Sequence, residues 1–191
     1  MLWVTSVEGC RQARKVQTLL MNLHADSLPE ISGLGWRTGE ACVARYLDGA
    51  WHRAKVLQSA PPNIHVQFVD FGTELTLHQD QLRRKVQAVL DVPSLAFPVR
   101  LNIKPKSGQW EEETLNFIHH TAVASEATFH VLRPDRDGWV VDMEIVQSEQ
   151  GNFGNFLVMN GLCEEGGKVV DSYCRCLEIL KLSHYLPQDS S

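Results

Sequence analysis

The period of the hydrophobic pattern changes several times along the chain. Leu2 to Val7 (LWVTSV) has the β-branched and aromatic content of a strand. Gln12 to Leu23 places Val16, Leu19, Leu20 and Leu23 on one helical face. Asp26 to Gly35 (DSLPEISGLG) reads as a linker from its Gly, Pro and Ser content. From Glu40 to Tyr46 the period becomes two, with Cys42, Ala44 and Tyr46 on one side. Asp48-Gly49 is a hairpin-turn signal, and Trp51 to Leu57 is the returning strand. Ala60-Pro61-Pro62-Asn63 breaks it. Ile64 to Val69 follows, with Ile64, Val66 and Phe68 on one face and His65, Gln67 and Val69 on the other. Asp70 to Thr73 is a tight turn before a short strand, Glu74 to Leu77. Short strands at this spacing predict a small closed barrel of about fifty residues, closure that leaves no exposed sheet edge.

After Pro93 strand and helix alternate again. Ala96 to Ile103 reads as a strand ending at Pro105. Glu111 to Ala122 reads as a helix whose acidic first turn suits the helix dipole. Its predicted buried face is Leu115, Ile118 and Val123, with Trp110 near the start. Thr128 to Leu132 and Trp139 to Val146 form a hairpin around Pro134 to Gly138, and Phe153 to Leu162 is a short helix closed by Gly161. The tail from His184 (HYLPQDSS) reads as loose. The fold class expected is mostly β with helices (α+β), a barrel interrupting a flanking unit. Residues 1–34 give the first part of the flanking unit and a linker helix, 35–86 the barrel, 87–185 the remainder, and 186–191 the tail. The N-terminal strand and helix are expected to bury their apolar faces against the C-terminal part, in one cooperative body.

The 191 residues, 43% hydrophobic, allow one sizeable core or two small ones sharing an interface. Apolar runs such as Val86 to Leu90 are far too short to span a bilayer. The start, MLWVTSVEGCRQARK, lacks the pattern of a signal peptide and reads as part of a longer protein. The five cysteines are odd in number and include no C-x-x-C pair. That predicts a reduced protein without a structural zinc site. A net charge of −5 suits a cationic partner better than a nucleic acid. Basic residues cluster only at Arg11 to Lys15 and Arg83 to Lys85, the latter a short patch with weak RNA contact as one reading.

The stretch GEACVARYLDGAWHRAKVLQSAPPNIHVQFVDFGTELTLHQDQLR, Gly39 to Arg83, resembles a Tudor domain. Four segments carry the likeness in order: G-E-A-C-V-A-R-Y, D-G-A-W-H-R-A-K-V, V-Q-F-V-D-F-G-T and L-R. The helix before it and Pro93 to Leu101 (PSLAFPVRL) after it resemble the extended Tudor arrangement. That likeness implies an SH3-like barrel inserted in a staphylococcal-nuclease-like, OB-type subdomain. It also implies a non-catalytic reader of methylated arginine, often symmetrically dimethylated, in Arg-Gly-rich tails, without a cofactor. Many such domains serve germline piRNA pathways, bound to Piwi/Argonaute-type proteins in cytoplasmic, perinuclear germ granules (nuage).

Methylated arginine keeps its charge and plane but loses hydrogen-bond donors. A site for it needs aromatic walls, whose π faces attract the cation, and a polar group for a remaining N–H. The resemblance assigns the walls to Tyr46, His52, Phe68 and Phe71 and the polar partner to Thr73, with Asp70 behind them as turn-former or support. His52 stands where the family usually has tyrosine, and Thr73 where it has asparagine. Imidazole is a poorer π surface and the shorter threonine reaches less far. Losing one wall and the anchor weakens binding by about one to two orders of magnitude. Tyr46, Phe68 and Phe71 also read as ordinary barrel aromatics, and Trp51 as packing.

Three rivals stand beside this reading. A nuclease needs clustered carboxylates, and none stands out. An OB-type nucleic-acid module could use Trp110 and Trp139, against the acidic charge. A scaffold with an inactive cage would bind an unmodified partner elsewhere. His119-His120 is not a metal pair, because adjacent helical residues point apart. Asp135 and Asp137 read as turn formers and Glu164-Glu165 as solvated surface.

Overall fold

The computed structural model describes residues 1–22, 35–84, 89, 91–123, 125–146, 149, 151–167 and, as backbone, 175–181. Most of the predicted linker, Leu23, Lys85 and the tail lie outside the described residues. The architecture is α+β and mostly strands. In chain order the first elements are β1 (Leu2–Ser6), α1 (Val7–Asn22), β2 (Ala41–Arg45), β3 (Trp51–Ala60) and β4 (Asn63–Phe68). Next come β5 (Glu74–His78), β6 (Leu82–Arg83), β7 (Ala96–Leu101), β8 (Ile103–Lys104) and α2 (Glu112–Ala122). The last are β9 (Glu126–Asp135), β10 (Gly138–Ile145), α3 (Phe153–Met159), β11 (Glu164–Glu165) and β12 (Arg175–Lys181). Two compact units divide the chain. One is built from Met1–Val7 and Phe97–His184, and the other, among the described residues, from Glu8–Ala96.

The flanking unit is a closed barrel in the order β1-β12-β9-β10-β7. β1 pairs antiparallel with β12, Thr5 opposite Lys181, so the two ends of the sequence meet in one sheet. β9 and β10 form the predicted hairpin, Gly138 opposite Asp135, with a bulge at Val140/Val141. Strand alternation sends Ala127, Phe129, Val131, Val141 and Met143 inward with Val4 and Val99. α2 adds Ile118 and Ala122 to that core, and α3 adds Phe153 and Leu157, one turn apart on the helix. Asn152 opens α3 by accepting the Asn155 N–H at 2.9 Å. Leu115 departs from its expected place: it is 46% exposed, and Thr114 takes the inward position. A 3.6-residue period fits a face through 114, 118 and 122 as well as one through 115 and 118.

The central unit is a five-stranded sheet in the order β5-β4-β3-β2-β6. Both edge strands feed one core: Leu77 and Leu82 join Cys42, Ala44, Ala54, Val56, Ile64, Val66 and Phe68. The sheet is therefore rolled around its core. Its ladder is not closed among the described strands, and the closed barrel is the other unit. On its second face Val43 and Trp51 meet Val16 and Leu20 of α1 and Val89. This corrects the expectation for the helix. Its apolar stripe, Val16 and Leu20, is buried with Val43 of β2 and Trp51 of β3 in the central unit, while Leu19 is 44% exposed. No described helix is long and apolar enough to cross a membrane.

Candidate functional site

Tyr46 follows β2 and begins the turn into β3. The Gly49 N–H donates to the Tyr46 carbonyl and the Tyr46 N–H to the Ala50 carbonyl, both at 2.9 Å. Gly49 holds φ at 77°, a conformation that glycine adopts without strain. Asp48 uses both side-chain oxygens in this turn. One accepts the Ala50 N–H at 2.8 Å. The other lies 3.0 Å from Nε2 of His52. A carboxylate only accepts, so Nε2 carries the proton. The turn thus clamps the imidazole where β3 begins.

Phe68 ends β4 and is fully buried. The chain folds back at once: the Phe68 N–H donates to the Thr73 carbonyl at 2.8 Å and the Gly72 N–H to the Phe68 carbonyl at 2.7 Å. Gly72 has φ of 82°, which allows the tight return. Phe71 is thereby laid against Phe68, their centroids 5.2 Å apart and planes 10° from parallel. Tyr46 stands edge-on to both, at 4.9 Å from Phe68 and 5.0 Å from Phe71. His52 stands edge-on to the same pair, at 6.2 Å and 5.4 Å. The four predicted walls therefore come together. Phe71 and His52 are each 6% exposed and Tyr46 is half-buried. Thr73 is also half-buried, two residues beyond Phe71.

The rings touch one another. Two faces holding a planar guanidinium between them stand about 7 Å apart, twice an ordinary carbon contact. The Phe68–Phe71 stack is too close for that. A guanidinium must therefore meet the cluster on its outer side or displace a ring, and Tyr46 is the least buried of the four.

Asp70 faces away from solvent to Arg53, a partnership that the motif alone does not reveal. Arg53 Nε donates to Asp70 at 3.0 Å, and one of its terminal nitrogens reaches the second carboxylate oxygen. The same guanidinium donates to the carbonyls of Val89 and Pro93, both at 2.9 Å, and to that of Val92. One buried cation thus joins the Phe68–Thr73 turn to the segment leaving the barrel.

The other candidates resolve into packing. Trp51 is 8% exposed, with the Arg45 and Arg83 guanidinium carbons 5.5 and 5.1 Å from its ring. Of the expected basic patch, the two described arginines are engaged: Arg83 is 8% exposed, and Arg84 lies 4.1 Å over Trp36 and pairs with Glu40. Burial alone would raise the Glu40 pKa, but hydrogen bonds from Arg84 and the Arg37 N–H, with both charges, bring it below the usual value. Burial pushes the Cys42 thiol up to about 12, helped by the nearby Glu40 charge, which leaves it unreactive at neutral pH. Among the described residues no group of three or more His, Cys, Asp or Glu could hold a metal. Trp110 is half-buried against the flanking core and Trp139 is 42% exposed.

A family model for the Tudor domain matches residues 2–103. Human RING finger protein 17 is 25% identical over 105 residues, 54% of this chain, and the chain spans 6% of that protein's length. The human TDRD1 extended Tudor domain, solved in complex with a symmetrically dimethylated peptide, aligns with a TM-score of 0.76 at 22% identity, covering 84% of this chain and 81% of its own. Extended Tudor domain TD3 from mouse TDRD1, in complex with a MILI peptide containing dimethylarginine 45, aligns with a TM-score of 0.75 at 21% identity, over 87% and 93%. At these identities the likeness is one of fold.

Proposed function

The chain belongs to the Tudor domain family, and from that premise we propose that it is a non-catalytic protein-interaction module that reads methylated arginine, above all the symmetrically dimethylated form, in Arg-Gly-rich tails. The observation that carries this reading is the gathering of Tyr46, His52, Phe68 and Phe71 in one cluster, with every pair of ring centroids between 4.9 and 6.2 Å apart. Two structural neighbours hold dimethylated peptides, which supports the same ligand class here. Tyr46 swings to admit the guanidinium, Thr73 offers its hydroxyl to a remaining N–H, and Arg53 with Asp70 steadies the Phe71 turn. The partners are then tails of Piwi/Argonaute-type proteins, and the setting a piRNA-pathway assembly in perinuclear germ granules.

A second reading is a scaffold whose cage is inactive and whose partner is unmodified. The contact stack of Phe68 on Phe71 and the clamped His52 favour it. Calorimetric titration separates the two, using one Arg-Gly peptide in unmodified and symmetrically dimethylated forms. Tyr46→Ala is the informative variant, because Phe68 is buried in the core and its truncation would unfold the unit as well as open the cage. The reader proposal expects the dimethylated peptide to bind several-fold tighter and Tyr46→Ala to abolish the difference. Equal binding of the two peptides sinks it and leaves the scaffold.

A further inference from the structure

The turn that carries Tyr46 also brings a carboxylate to the aromatic cluster. The side chains of Asp48 and His52 are only 14% and 8% exposed. One Asp48 oxygen lies 3.0 Å from Nε2 of His52, and the other accepts the Ala50 N–H at 2.8 Å. With the imidazole neutral this couple carries one negative charge; with the imidazole protonated it carries none. The rings packed on His52, those of Tyr46, Phe68 and Phe71, add no charge. Among the described residues the nearby charges have partners of their own. On β3 the next residue, Arg53, pairs with Asp70. On β2, Ala44 lies opposite His52, and Arg45 lies over the Trp51 ring. Past the Phe68–Thr73 turn, Glu74 bonds His65 and Gln67. A guanidinium stays charged throughout the range in which proteins work, and methylation keeps that charge. Admitted beside Tyr46, whose ring centre is 5.7 Å from that of His52, it meets the couple where water is largely excluded and charge counts for more than in bulk.

We propose that Asp48 is a specificity-determining residue of the methylarginine site, and that the Asp48–His52 couple is its anion, so that binding of the ligand cation is linked to the proton on His52. The proposal rests on the reader assignment. Imidazolium and guanidinium compete for one carboxylate. When the ligand enters, a protonated His52 gives its proton to solvent and the couple regains its negative charge. Affinity is therefore highest above the interval in which histidines take up a proton, and it falls as pH drops through that interval. The histidine at this wall replaces π surface with acid sensitivity.

The test is calorimetric titration of the whole chain at about pH 7.5, 6.5 and 5.5, an interval that spans histidine protonation. The probes are an acetylated, amidated Arg-Gly peptide with one symmetrically dimethylated arginine, and its unmodified form. Neither has a group that titrates in that interval. The parent is expected to bind the dimethylated peptide at least about fivefold more weakly at the lowest pH than at the highest. At the middle pH it should release protons on binding, read from two buffers of different ionisation enthalpy. His52→Gln still donates to Asp48 but takes up no proton; its affinity should stay within about twofold across the range, without proton release. Asp48→Asn keeps an oxygen for the Ala50 N–H, so the turn stays, and it should bind at least about fivefold more weakly than the parent at the highest pH. A flat profile in a parent that still prefers the dimethylated peptide, a slope that survives His52→Gln, or full affinity in Asp48→Asn overturns this proposal alone. Equal binding of the two peptides at every pH, or binding of neither, overturns the reader assignment and this proposal with it.

Discussion

His52 and Asp70 each owe their orientation to a charged partner four or more residues away, and those partners decide what the aromatic cluster can do. Asp48 fixes the imidazole edge-on to both phenylalanines, so the ring supplies a rim and not a stacking face. Arg53 is more consequential. Its side chain is 2% exposed and that of Asp70 11%. Removing one partner of such a pair leaves the other charge buried, at about 3–5 kcal/mol. Asp70→Asn is therefore expected to lower the urea-unfolding free energy by about that amount. An Arg53→Met/Asp70→Leu double variant should not recover fully, because the carbonyls of Val89, Val92 and Pro93 lose their donor. A loss below about 1 kcal/mol in Asp70→Asn would mean that water reaches the pair and that it behaves as a surface bridge.

At the scale of elements, the two-residue alternation locates β2 to β5 well because one face of each strand is largely apolar. β3 runs on to Ala60, past the expected Leu57, since pairing with β4 continues to Asn63 opposite Ala60. What alternation does not carry is which strands bond across a gap. For that reason the sequence pattern finds the strands of the rolled central sheet without showing that the ladder closed among the described strands is the flanking one, and it sends α1 to the wrong partner. The cluster is legible because its four aromatic rings stand at motif positions. Its closed packing is not, because ring separation depends on side-chain torsions. The ends of β2 and β6 illustrate a contact of the same hidden kind: Glu40, just before β2, pairs with Arg84, just after β6. With its folded pKa lowered, Glu40 contributes stability that is present above its ordinary value of 4.5 and is lost as pH falls through the lowered one. Glu40→Gln should thus be less stable than the parent at neutral pH, and the gap should close in acid. Urea midpoints measured across that range check it. A gap that widens on acidification would refute the assignment.

For the molecule as a whole, the decisive fact is that among the described residues one unit is continuous in sequence and the other is not. Every buried residue of the central sheet's inner core lies between Cys42 and Leu82. The flanking barrel instead needs β1, at one end of the sequence, to pair with β12 at the other. Val4, fully buried in the flanking core, comes from that first strand. Joining such distant segments carries a loop-closure entropy that grows only slowly with the intervening length, so a long central insertion is tolerable, but the strand itself is not dispensable. Deleting residues 1–6 removes β1's ladder and opens the barrel on the β12 side. Hydrogen exchange followed by mass spectrometry should then show lost amide protection in β9, β10 and β12, with β2 to β5 keeping theirs. If β2 to β5 lose protection to the same extent, the two units unfold as one cooperative body and the division inferred from their separate cores is wrong.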